Sequence, residues 1–159
     1  MTKRGFLFWI FTILLTFILQ ITFAEYISVL GTFPNLLLLA TVFFSIYEGP
    51  MVGEVTGFMT GLLSDISSIS LFGSQTFMLT LIGYTTGMLR GKINEEKPSA
   101  QMALVFIMSL VYVLGLYFLE SLFGGSAERF KVITSFFEPV YSTLVSPLFF
   151  AILARAVLR

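Results

Sequence analysis

Residues 48–66, EGPMVGEVTGFMTGLLSDI, decide how this chain is read. Among the candidate membrane-crossing stretches they are the weakest by hydropathy, because Glu54 and Asp65 interrupt them. A spanning helix needs about 20 mostly apolar residues. Five other segments approach that requirement: 6–24, 33–47, 74–89, 101–123 and 139–154. The charges between the segments decide whether 51–66 joins them. If it does, Lys3, Arg4, Arg90, Lys92, Lys97, Arg155 and Arg159 fall on one side, and only Arg129 and Lys131 on the other. Lysine and arginine collect on the cytoplasmic side of a membrane. Six spans with both termini cytoplasmic are therefore expected. Without the weak span, Arg90 to Lys97 would lie opposite Lys3 and Arg4.

Composition agrees with a lipid solvent. Of 159 residues, 57% are hydrophobic and 11% charged, against roughly a quarter charged in a soluble domain. Phe alone supplies 19. The length allows one polytopic membrane domain over 1–159 and no second soluble one. The expected fold class is an all-α membrane protein with six transmembrane helices. Cys and His are absent, which removes thiol nucleophiles, disulfides, thiolate metal sites and imidazole chemistry. No phosphate-cradling loop, metal cluster or basic nucleic-acid patch is present in the sequence, and Ser and Thr have no His as base. Neither enzymatic activity nor a cofactor is expected.

Punctuation along the chain follows from turn chemistry. Lys3 and Arg4 precede the first apolar run, but Thr22 and Ala24 make a poor cleavage site, so a retained helix is expected rather than a signal peptide. Pro34 suits the first turn of the second helix, and Asn35 can bond backbone groups there. Glu48-Gly49-Pro50 reads as a tight turn. Gly124-Gly125 breaks the fifth span. Ser126 to Glu138 reads equally as a short interfacial helix or as a wet loop. Pro147 predicts a kink or local break in the last helix. Arg155 and Arg159 read as anchors to anionic lipid.

The weak third span also carries the main candidate for function. Gly53, Gly57 and Gly61 repeat every four residues, a doubled small-xxx-small pattern that lets another helix approach closely. Gly83 and Gly87 form a second such pair in the fourth span. Glu54 and Asp65 are eleven residues apart, so on a helix they lie within about 20° of each other, on the stripe that includes Gly61. A charge at the bilayer centre costs about 2.5–3.5 kcal/mol, so this stripe is expected to face protein or a wet cavity. It reads either as a polar seam for a partner, ligand or protons, or as two interfacial acids near opposite headgroups. Asp65 near a helix C-terminus opposes the helix dipole and needs a separate reason.

The ordered set Pro34-Asn35-Leu36-Leu37-Leu38, Glu48-Gly49-Pro50, Gly53, Gly57-Phe58, Gly61-Leu62, Asp65, Gly73 and Leu81-Ile82-Gly83-Tyr84 with Gly87 resembles the MreD family of bacterial rod-shape-determining membrane proteins. The motifs cover residues 34–90, and the rest matches in length and span order. The resemblance implies an inner-membrane component of the cell-elongation machinery that builds side-wall peptidoglycan. It implies partnership with the bitopic protein MreC, alongside MreB, a RodA-type glycosyltransferase and a penicillin-binding transpeptidase. It also implies a fold similar to the substrate-binding subunits of energy-coupling-factor transporters. A vitamin-binding transporter subunit is thus the competing function, but the first helix has Ala24 as its only alanine and lacks the Ala-xxx-Ala face such subunits present. A proton passage through Glu54 and Asp65 lacks a linking chain of buried acids.

Overall fold

Leu36–Glu48 (α2) is the axis of the fold, and every residue from Leu37 to Ile46 is buried. A helix that is apolar on all sides must be covered on all sides. Five helices do this: α1 (Lys3–Phe23), α3 (Pro50–Ser67), α4 (Ser74–Met88), α5 (Pro98–Phe123) and α6 (Glu138–Val157). Each touches α2, and they neighbour one another in the ring order α1, α3, α4, α5, α6 and back to α1. The computed structural model describes residues 3–23, 33–68, 71–93, 97–123 and 137–157, and among these it contains these six helices and no strand. Successive helices run in opposite directions. α5 is long and apolar enough to cross a membrane; residues 7–22 and α2 are shorter apolar helices.

The axis is held by ring stacking and by hydroxyls that stay satisfied. Phe43 lies 5.5 Å from Phe44, 4.7 Å from Tyr47 and 5.5 Å from Phe150 of α6. Thr41 and Ser45 are buried, but each donates to the carbonyl one turn back, Leu37 and Thr41, at 2.9 and 2.5 Å. The Thr41 and Thr60 hydroxyls also meet at 2.8 Å, which ties α2 to α3. Trp9 of α1 donates its indole N–H to Thr56 of α3 at 2.9 Å. The hydroxyls of Thr41, Ser45 and Thr60 and the indole of Trp9 therefore cost little, because each finds a partner, whereas the buried hydroxyls of Thr86 and Ser109 have none among the described residues.

Two turns show how the sequence directs the chain. Gly49 alone joins α2 to α3, with φ +99°, a conformation that L side chains rarely adopt. Its N–H bonds the Ser45 carbonyl at 3.0 Å, and Pro50 follows as the first residue of α3, where its missing N–H is no loss. α2 starts later than the sequence suggests. Asn35 is its N-cap, and Pro34 lies outside the helix rather than in its first turn. The reason is the Asn35 side chain, which accepts from Leu38 N–H at 2.9 Å.

The expected break at Pro147 is absent, and α6 runs through it. Proline leaves the carbonyl four residues back without its helical donor. The Ser146 hydroxyl donates to that carbonyl, Thr143 O, at 2.8 Å. A neighbouring side chain thus supplies the missing donor and the helix continues. Residues 124–136, which include most of the mixed Ser126 to Glu138 stretch, lie outside the described residues.

Candidate functional site

The glycines of the third and fourth helices form a single contact. A methyl group built on Gly57 would collide with the Leu79 carbonyl of α4, and one on Gly53 with the Gly83 carbonyl. From the other side, a methyl on Gly83 meets the Gly53 carbonyl, and one on Gly87 meets Pro50. Gly61 faces the backbone of Gln75 and Thr76. The two helices therefore run antiparallel at backbone contact along their whole shared length. Only glycine permits this approach.

Asp65 closes the seam at the end where α4 begins. It is 2% exposed, and its carboxylate accepts from the Gln75 and Thr76 N–H groups at 3.2 and 2.9 Å and from the Thr76 hydroxyl at 2.5 Å. The N-cap position of α4 is Gly73, which has no side chain to offer. Asp65 reaches across from α3 and caps α4 instead. This explains an acid at the wrong end of its own helix, since its negative charge sits on the positive end of the next dipole.

A polar hub continues from there across the same end of the bundle. Gln75 accepts from the Tyr112 hydroxyl of α5 at 3.1 Å and from the Ser64 hydroxyl, and donates to the Ser68 hydroxyl at 2.6 Å. Tyr112 also faces Asn35. Asn35 donates its side-chain N–H to Glu138 of α6 at 3.0 Å and its backbone N–H to Ser142 at 3.0 Å. Gln20 of α1 accepts from Leu36 N–H at 2.8 Å. The N–H groups of Asn35, Leu36 and Leu38 that begin α2 are thereby satisfied by α6, by α1 and by the Asn35 side chain itself. α2 has 13 residues, about 20 Å, whereas α5 has 26, about 39 Å, and runs on eleven residues beyond Tyr112. The hub therefore sits below the end of α5.

Of the residues singled out from sequence, the structure brings Gly53, Gly57, Gly61, Gly83, Gly87 and Asp65 into one seam, and puts Pro34 and Asn35 at the hub. Glu54 is the exception. It is exposed and does not share the burial of Asp65, although both lie on one stripe. The neighbour differs along the seam: Asp65 meets the first N–H groups of α4, whereas Glu54 stands beside Gly83, which offers no side chain to cover it. Gln20, Gln75, Tyr112, Glu138 and Ser142 are hub members that sequence reading did not single out. For Gln20, Gln75, Glu138 and Ser142 the one local signal is a polar residue within two turns of a helix end, next to Pro139 for Glu138 and next to the Gly73 turn for Gln75; Tyr112, in the middle of α5, carries no such signal.

The family described as rod shape-determining protein MreD matches residues 2–157 of the 159. The chain belongs to the MreD family. No curated protein and no solved structure matches it. Membership fixes the coarse reading, a rod-shape-determining membrane protein, and gives the seam and the hub their setting.

Proposed function

We propose that this MreD-family chain is a non-enzymatic, six-pass component of the bacterial inner membrane that partners MreC within the elongation machinery and so supports side-wall peptidoglycan synthesis and rod shape. MreB, a RodA-type glycosyltransferase and a penicillin-binding transpeptidase are its wider company. The observation that carries the reading is the family match over 2–157. Charge placement supports the topology. Lys3 and Arg4 at the start of α1, Arg90 beside Gly49, Lys92, Lys97 and Arg155 near the end of α6 all belong to one end of the bundle. By the preference of Lys and Arg for the cytoplasm, that end is inside and the polar hub is near the outer face.

The mechanism is that of a platform. α2, α3 and α4 share the closest packing, and their relative positions are set by backbone contact rather than by adjustable side chains. Such a unit holds a fixed surface in the bilayer for a second membrane protein. The absence of His and Cys from the sequence agrees with a role in holding rather than in reacting. The test is depletion in a rod-shaped host followed by complementation. Rounded cells on depletion, rods on complementation and MreC in the detergent-purified complex are expected. Normal rods without the protein, together with no MreC in the complex, would refute the reading.

A further inference from the structure

The outer side of α3 and α4 carries a feature that the fold does not use. Val55, Phe58 and Leu62 of α3 and Leu81, Tyr84 and Met88 of α4 are exposed. Each set repeats at three- and four-residue spacing, which draws a stripe along one helix face. Because the glycine seam holds the two helices at backbone contact, Phe58 and Tyr84, each about 100° around its helix from the neighbouring seam glycine, flank one shallow groove, while Val55 and Leu81 point away from it.

Glu54 stands on the wall of that groove. On a helical wheel it is about 40° from Phe58, on the side toward α4. It is exposed, and no hydrogen bond or ion pair joins it to another described residue. Arg90, a cation at that end, lies against Gly49 in the turn before α3. Glu54 is four residues beyond Pro50, the first residue of α3, which is about 6 Å along the axis. A carboxylate at that depth loses much of its hydration, and no described side chain of this chain compensates it. It contributes to no packing inside the bundle, so its charge is free to select what lies outside.

We propose that the outer groove of α3 and α4 receives the single transmembrane helix of a bitopic partner, which presents a Lys or Arg to Glu54 about one helical turn inside the cytoplasmic boundary. Shape and charge argue for this occupant. The groove runs lengthwise between two helices with the spacing that a third helix fills with its own i, i+3, i+4 and i+7 residues. Its one ionic group is an anion, and a cation is the partner that restores the energy lost with its hydration. The proposal rests on the reading that the chain partners MreC.

The chain has no Cys, so single introduced cysteines report contacts without background. MreC from the same genome, with cysteines scanned through its transmembrane helix, is co-expressed with Phe58→Cys, Tyr84→Cys, Phe11→Cys or Leu148→Cys. Cross-links from Phe58→Cys and Tyr84→Cys, and none from Phe11→Cys on α1 or Leu148→Cys on α6, are expected. Glu54→Gln should lower co-purified MreC about tenfold, a loss of about 1.4 kcal/mol in binding. Glu54→Lys should abolish capture, and exchanging the facing basic residue of MreC for Glu should restore it. Cross-links confined to α1 or α6, or full capture by Glu54→Lys, overturn the groove while leaving the partnership standing. Failure of the wild-type chain to capture MreC overturns both.

Discussion

α3 meets α4 through backbone, whereas α1 meets the bundle through a few side chains. Between α3 and α4, five glycines leave no room for a methyl group. Between α1 and its neighbours, Trp9 and Ile13 are buried and one indole hydrogen bond crosses to Thr56, while Leu7, Phe11, Leu14, Ile18 and Ile21 face outward. The contrast shows what holds helices together in lipid. Lipid tails are as apolar as leucine, so burying a leucine against protein gains little there. Close approach and interhelical hydrogen bonds carry the association. The α3–α4 pair has both, with Asp65 as the bond at one end, whereas α1 has hydrogen bonds through Trp9 and Gln20 but no glycine contact among the described residues.

The largest effect should come from filling the seam. Gly57→Ala places a methyl against the Leu79 carbonyl, and unfolding in detergent should show a loss of about 1–3 kcal/mol. Gly57→Leu and Gly61→Leu should force the helices apart and impair assembly with MreC. Unchanged stability and assembly in all three would mean that the pair is not packed at backbone contact.

Next in size is the cap. Asp65→Ala leaves the Gln75 and Thr76 N–H groups without their acceptor and should cost about 1–2 kcal/mol. Asp65→Asn keeps one acceptor oxygen and should lose less. Membrane insertion should survive both, so function lost with normal protein levels is the expected phenotype of Asp65→Ala.

At the hub, Asn35→Ala removes the cap of α2 and the bond to Glu138, for about 1 kcal/mol. The double variant Asn35→Ala with Glu138→Gln should cost less than the sum of its parts, because the two share one contact. Additive losses would dissolve the hub into separate residues. The smallest effect belongs to the outer face of α1. Phe11→Ala should stay within about 0.5 kcal/mol, since Phe11 faces out of the bundle. A loss as large as that of Gly57→Ala would erase the contrast between the two regions.

Much of the seam was legible in the sequence because it obeys local rules. Four-residue glycine spacing marks a close-packing face wherever the helix goes, and Glu48-Gly49-Pro50 allows little but a turn. The two acids were only half legible. A helical wheel gives their common angle but not what stands opposite, and the start of α4 opposite Asp65 is set by tertiary packing. The hub was hidden for a related reason. Asn35 and Glu138 are separated by 103 residues, and nothing local marks either as the partner of the other. Of the kink or local break expected at Pro147, the break is absent, because the hydroxyl of Ser146 one residue away supplies the missing donor.

The most direct test of the account is rod-shape complementation read together with MreC co-purification, for wild type, Gly57→Leu and Phe11→Ala at matched membrane levels. Wild type and Phe11→Ala should restore rods and retain MreC, while Gly57→Leu should lose both. Rods and retained MreC with Gly57→Leu would contradict the claim that the seam is the platform on which this protein works.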